Sequence, residues 1–309
     1  YRNSLTLSHQ SAPEETQIAM SSTVTQSLKQ YFGFSQFRDG QEDVVAQILS
    51  RQNLLAVMPT GAGKSLCYQL PAMLLDGRTI VVSPLIALMN DQVAYLQSLN
   101  LPAEKIHSHA EYNDNADVWR RFVSGEVKIL YISPERLMTE RMLAALEHVP
   151  VDLFVIDEAH CISKWGAAFR PEYDQLSGLQ SRFPNAVLTA FTATADKATR
   201  QDIVDKLTGN RANIIVKGFD RPNLSLAVAL KDDWKQRLLA FVDARRGQSG
   251  IVYTLSRRET ETVAAFLSDN GHKSVAYHAG QEAYQRQQGQ DRFMTEDGVV
   301  MVATIAFGM

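Results

Sequence analysis

Two short stretches of the sequence hold residues that could bind and cleave a phosphoanhydride. The first is Met58-Pro59-Thr60-Gly61-Ala62-Gly63-Lys64-Ser65, between an apolar run and a helical pattern. Glycines let a backbone bend until its N–H groups converge on phosphate oxygens, and the following helix N-terminus adds a favourable dipole. In such a loop Lys64 reaches the β and γ phosphates and Ser65 ligates Mg²⁺. The strict form of the pattern has Gly where Met58 stands. The second stretch is Leu153-Phe154-Val155-Ile156-Asp157-Glu158-Ala159-His160, an apolar strand that delivers two carboxylates at its C-terminal end. There Asp157 holds the Mg²⁺, largely through water, and Glu158 orients and deprotonates an attacking water. Taken singly, the loop reads as a tight turn and the acids as a solvated strand end. Together they read as two halves of a nucleotide-hydrolysing site.

Open parallel α/β sheets present ligands at the carboxyl ends of their strands. The pattern fits such a sheet. Apolar runs at Leu54–Met58, Thr79–Val82, Lys128–Ile132, Leu153–Ile156, Val187–Phe191 and Ile214–Val216 alternate with helical stretches such as Ser65–Leu75 and Leu85–Leu96. A second set, Gly250–Tyr253, Ser274–Tyr277 and Val299–Ala303, brackets the helical pattern Arg257–Asn270. Continuous apolar strands joined through helices predict parallel sheets covered on both faces. Pro222 and its polar neighbours mark a break. The expected organisation is a flexible tail over 1–23, a first α/β domain over 24–218, a linker over 219–224 and a second domain over 225–309. Val299–Ala303 reads as a central strand, yet only six residues follow it, so the second domain is expected to be truncated.

Composition narrows the class further. The 309 residues are 45% hydrophobic and 21% charged, which excludes disordered and collagenous chains. No apolar run is long enough for a membrane span. Lys plus Arg number 31 against 34 Asp plus Glu, so nucleic acid would have to meet a local basic groove. The two cysteines, Cys67 and Cys161, cannot build a disulfide framework or a four-cysteine zinc site, and a reducing cytoplasm is the expected setting.

The phosphate loop with Asp157-Glu158-Ala159-His160 resembles superfamily 2 helicases, and the residues after it resemble the RecQ-type DNA helicases within them. Cys161-Ile162-Ser163-Lys164-Trp165-Gly166-Ala167-Ala168-Phe169-Arg170 is similar to their aromatic-rich loop, and Phe32-Gly33-Phe34-Ser35-Gln36-Phe37-Arg38-Asp39-Gly40-Gln41 to their adenine-reading motif. Ser83–Gln92 and Ser133–Leu137 match DNA-contacting motifs, and Thr192-Ala193-Thr194-Ala195 a coupling motif. Tyr277-His278-Ala279-Gly280 and Val302–Met309 continue the match in family order.

The resemblance implies two RecA-like lobes, ATP and Mg²⁺ as cofactors, and 3′ to 5′ movement on single-stranded and forked DNA. Localisation would be cytoplasmic, at the nucleoid in a bacterium. Phe34 would stack on adenine, and the Gln41 amide can bond its N6/N7 edge beside Arg38. Trp165 and Phe169 would stack on bases, while Lys164, Arg170 and Arg257 would meet DNA phosphates. Relatives usually carry His-Asp where this chain has Ala167-Ala168. Arginine fingers and a four-cysteine zinc module are expected only C-terminal to these residues. The expectation for residues 1–309 themselves is ATP binding with poor or no unwinding, with Val252, Val275 and Val300 partly uncovered. An RNA helicase, or a non-catalytic nucleic-acid-binding remnant, are the competing readings. DNA-stimulated against RNA-stimulated ATPase separates the first, and intact Lys64, Asp157 and Glu158 oppose the second.

Overall fold

The computed structural model describes residues 14–107, 112–163, 170–218 and 224–304. The chain divides into two compact units, Tyr1–Asp220 and Arg221–Met309. The first unit is built on seven strands: β1 (Leu54–Val57), β2 (Arg78–Val82), β3 (Ala103–Ile106), β4 (Ile129–Ile132), β5 (Val151–Ile156), β6 (Val187–Thr192) and β7 (Asn213–Val216). All pair in parallel, in the order β3-β4-β2-β5-β6-β1-β7.

Successive strand side chains point to opposite faces, and both faces are apolar here. Leu55, Val57, Ile80, Val82, Leu130, Ile132, Phe154 and Ile156 share one core with the helices Tyr112–Ser124, Glu140–Leu146 and Lys197–Thr208. Leu54, Ala56, Val81, Tyr131, Leu153 and Val155 share the other with the helices Gln41–Leu49, Lys64–Leu74 and Ile86–Ser98. Each fully buried aliphatic side chain contributes roughly 1.5–3 kcal/mol of transfer free energy. The strand ends are thereby held on a stiff platform.

The second unit has three parallel strands, β8 (Gly250–Tyr253), β9 (Lys273–Tyr277) and β10 (Val299–Ala303), in the order β8-β10-β9. The helix Arg257–Asp269 lays Val263 and Leu267 on Val300 and Val302. Ser256 caps it by accepting from Glu259 N at 3.2 Å. Phe293, from the helix Ala283–Thr295, packs on Met301 and Ala303 on the other face.

Three expectations change. Residues 14–23 belong to a helix, Glu14–Phe32, rather than to a tail; that stretch contains no Gly or Pro to stop a helix, and only 1–13 fall outside the described residues. β3 was not foreseen. It is an edge strand, paired on one side only, and its sequence Ala-Glu-Lys-Ile carries two charges, with Glu104 taken up by Arg121 at 2.9 Å. Val300 is buried at 4% exposure, because β10 is central and covered on both faces; Val252 and Val275 are half-buried.

Candidate active site

The phosphate loop joins β1 to the helix Lys64–Leu74. Gly61 has φ +85° and Gly63 φ +77°, both left-handed conformations that a side chain would strain. The loop closes on Ala62 N donating to Pro59 O at 3.1 Å. Thr60 is exposed, and Lys64 and Ser65 are half-buried at the helix start. Lys64 Nζ donates to Met58 O at 3.2 Å, so the ammonium lies over the loop.

The adenine-reading residues are folded onto this loop. Gln41 is buried, and its Nε2 donates to Ala62 O at 3.0 Å and Gly63 O at 3.2 Å, while its Oε1 accepts from Arg38 N at 2.8 Å. Arg38 Nη1 donates to Gly61 O at 2.8 Å. The Gln41 amide therefore props the loop rather than standing free for a base. Gly40, at φ +76°, starts the helix at Gln41 and leaves Arg38 in the preceding turn. A cavity of about 210 Å³ lies beside them, lined by Phe34, Arg38, Gln41, Ser65, Gln92 and Tyr95. Phe34 is exposed, as a residue offered to a flat ligand would be.

β5 ends at the second half of the site. With β6 between them, β1 and β5 stand two strand spacings apart, about 10 Å. Asp157 is buried; its backbone N donates to Val82 O and its Oδ1 accepts from Glu158 N at 3.0 Å. Burial, and then the charge of Glu158, push the Asp157 carboxyl up to about 6. Glu158, at φ +48°, turns its side chain to His160 Nδ1 at 3.2 Å. That contact holds Glu158 below the usual carboxylate range, while the Cys161 thiol and Glu158 raise the imidazole to about 9. Glu158 is thus kept as an anion able to accept a proton. Ser65 and Asp157 offer hydroxyl and carboxylate oxygens, the donor set that suits Mg²⁺, and a buried carboxyl pushed toward neutrality is one that a divalent cation would return to its charged form.

Between the halves, Thr192 opens the expected coupling motif, whereas Tyr173 and Gln69 carry no expected role. Thr192 ends β6. Its Oγ1 lies 3.0 Å from His160 Nδ1, and its carbonyl accepts from Met58 N at 3.0 Å. One residue therefore touches both the acidic strand end and the start of the phosphate loop. Tyr173 donates its hydroxyl to Asp157 O at 3.0 Å from a fully buried position. Gln69 Nε2 donates to Gln92 Oε1 at 2.9 Å and Tyr131 Oη at 3.0 Å, linking the helix Lys64–Leu74 to the helix Ile86–Ser98 and β4. The signal for Gln69 was an amide inside the apolar run Leu66–Leu70.

Of the expected DNA contacts, Lys164, Trp165 and Phe169 lie outside the described residues. Arg170 is half-buried, with Nη1 donating to Pro84 O at 3.3 Å. Arg257 is exposed in the second unit and packs against Gly280, where an added Cβ would come within 3.0 Å of its Cδ. Arg257 thus adjoins the stretch Tyr277-His278-Ala279-Gly280.

A family model described as DEAD/DEAH box helicase matches residues 38–203, a span holding the phosphate loop, the acidic strand end and Thr192. The chain belongs to that family. As a DEAD/DEAH box helicase chain it is 43% identical to the ATP-dependent DNA helicase RecQ of Pasteurella multocida over 305 residues, which is 99% of this chain and 48% of that protein. It is 44% identical to the ATP-dependent DNA helicase RecQ of Haemophilus influenzae over 298 residues, 96% of this chain and 48% of that one. The chain therefore spans about half the length of these relatives. Among solved structures, S. cerevisiae Dbp5 bound to RNA and ADP BeF3 matches with a TM-score of 0.62 over 90% of this chain and 73% of that one. At 16% identity this likeness is one of fold, the RecA-like helicase fold.

Proposed function

We propose that this chain is the ATP-hydrolysing core of a RecQ-type DNA helicase that moves 3′ to 5′ on single-stranded DNA and opens forked duplexes. The observation that carries the reading is the junction at Thr192, which joins the Lys64 loop to the Asp157–Glu158 strand end, in a chain 43–44% identical to RecQ helicases.

In this reading the loop N–H groups from Gly61 to Ser65 receive the phosphates, and Lys64 leaves Met58 O to meet the β and γ oxygens. Phe34 stacks on adenine beside Arg38, and Gln41 props the phosphate loop beneath the base, so that base binding is coupled to the loop. Ser65 and Asp157 would hold Mg²⁺, which when bound neutralises charge on the phosphates. Glu158 accepts the proton of the attacking water at its carboxylate, and His160 and Thr192 fix its direction. Trp165 and Phe169 stack on bases, and Lys164, Arg170 and Arg257 contact the strand. No helix among the described residues is long and apolar enough to cross a membrane.

The test is ATPase activity of the purified chain with a single-stranded DNA or a matched RNA. DNA should stimulate hydrolysis more than RNA, and Trp165→Ala should lower DNA affinity without changing ATP binding. Greater stimulation by RNA would overturn the substrate assignment. Unwinding of duplexes with a 5′ tail but not a 3′ tail would overturn the polarity.

A further inference from the structure

Tyr68, one turn into the helix Lys64–Leu74, is fully buried, yet its hydroxyl has no hydrogen-bond partner. Its ring stands edge-on to Phe191 of β6, with centroids 5.3 Å apart and planes at 63°. Residues three apart on a helix share a face, and helical side chains lean toward the N-terminus, so the Tyr68 ring lies along the turn that begins with Lys64 and Ser65. The sheet brings the other neighbours. Val81 of β2 is in register with Tyr131 of β4 and Val155 of β5, and all three point to the face that this helix covers. Asp157, two residues beyond Val155, continues that face. Ser65, Tyr131 and Asp157 lie close enough to act on the Tyr68 hydroxyl, none of them bonded to it.

A buried hydroxyl left unpaired costs free energy, and such a group persists where a ligand or a second arrangement supplies its partner. The Tyr131 oxygen already accepts from Gln69 Nε2 at 3.0 Å, and Gln69 also donates to Gln92 Oε1, so Tyr131 is fixed in place. Ser65 is the neighbour whose partners change when a nucleotide binds. A serine that ligates a cation does so through an oxygen lone pair and must send its O–H elsewhere. An outer acceptor for that hydrogen fixes the rotor and makes the oxygen a better ligand. A phenol oxygen can accept one such bond while its own hydrogen turns to Tyr131 Oη.

We infer that Tyr68 is the positioning residue for Ser65: with nucleotide and Mg²⁺ on the loop, the Ser65 O–H donates to Tyr68 Oη, and the Ser65 lone pairs stay turned to the cation. The inference rests on the reading of Ser65 as a Mg²⁺ ligand.

Tyr68→Phe removes the hydroxyl alone and separates this role from a structural one. In urea unfolding without Mg²⁺ or nucleotide, its midpoint should equal or exceed that of the parent, because an unpaired buried group is lost. In titrations of a fluorescent ATP analogue at increasing Mg²⁺, the half-saturating Mg²⁺ concentration should rise roughly tenfold. In a Ser65→Ala background the same substitution should raise it no further. A lower urea midpoint for Tyr68→Phe would mean that the hydroxyl is bonded in the folded protein. An unchanged Mg²⁺ requirement, or an equal shift in the Ser65→Ala background, would mean that Ser65 is oriented without it. Each of these results overturns the inference and leaves Ser65 as a ligand. If Ser65→Ala itself leaves the Mg²⁺ requirement unchanged, the reading of Ser65 falls, and the inference with it.

Discussion

Gly61→Ala and Gly63→Ala look alike in sequence and should behave differently. Both residues have left-handed φ, +85° and +77°, so each substitution carries about 1–2 kcal/mol of backbone strain. At Gly61 an added Cβ meets nothing within 4 Å. At Gly63 it would lie 2.4 Å from Gln41 Nε2. The backbone is not in the way, so the Gln41 amide must move, and it gives up two donated bonds and one accepted bond in a buried setting. At about 0.5–1.5 kcal/mol each, partly replaced, that adds about 1–3 kcal/mol. Gly61→Ala should therefore cost about 1–2 kcal/mol and Gly63→Ala about 2–5 kcal/mol in urea unfolding. A double-mutant cycle isolates the extra part. With Gln41→Ala present the obstructing atom is gone, and Gly63→Ala should cost no more than Gly61→Ala. The same variant should weaken binding of a fluorescent ATP analogue, because the loop loses its prop. Equal costs for the two glycines in both backgrounds would refute the argument that Gln41 supports the loop.

Lys64→Ala should weaken ATP binding and abolish turnover, whereas Glu158→Gln should keep binding and lose hydrolysis; phosphate release by Glu158→Gln at the parent rate would remove Glu158 as the base. Burial pushes the Cys67 thiol up to about 12, so iodoacetamide at pH 8 should leave its peptide unmodified in the native protein and alkylate it in urea. Because the folded value lies above the unfolded one, Cys67 contributes stability that is complete below about pH 9. That contribution should fade as pH rises toward 12, lowering the urea midpoint. Tyr173→Phe should lose about 1–2 kcal/mol by urea unfolding, since Asp157 O is left without its buried donor.

The strands and the two halves of the site were legible because each rests on a local pattern. Leu54–Val57 and Leu153–Ile156 are unbroken apolar runs, as strands buried on both faces must be, and Gly61, Gly63, Lys64 and Ser65 follow the first of them at phosphate-loop spacing. β3 was illegible because an edge strand answers to one neighbour and to solvent, so Glu104 and Lys105 sit in it without conflict. The helix from Glu14 was passed over because its run of Ser, Thr and Gln has weak periodicity and reads as polar chain. Gln41 was identified by type but not by partner: its residue kind is local information, while its bonds to Ala62 and Gly63 depend on how the helix Gln41–Leu49 packs beside the loop. The same holds for Thr192, whose neighbours His160 and Met58 are distant in sequence and adjacent only through the order β5-β6-β1.

The two ends of the seven-stranded sheet differ in how their polar groups are satisfied, and that difference places function. At the amino ends, Asp152 accepts from Gly77 N and pairs with Arg51, Lys128 donates to Leu75 O and Asp76 O, and Arg78 donates to Phe122 O and Val123 O. These bonds tie loops to strand starts and leave little for a ligand to complete. At the carboxyl ends the reverse holds. The buried hydroxyls of Ser83 after β2 and Ser133 after β4 have no hydrogen-bond partner, nor has Arg136 Nε, and Asp157 after β5 is pushed toward its neutral form. Thr79, near the start of β2, and Gln47, near the end of the helix that leads into β1, are exceptions. Each unmatched buried polar group costs about 1–3 kcal/mol that folding alone does not return. Groups of that kind persist where a ligand or a second conformation supplies the missing partner. Those after β5, β2 and β4 lie on neighbouring strands of the sheet, at the carboxyl edge that also holds the phosphate loop.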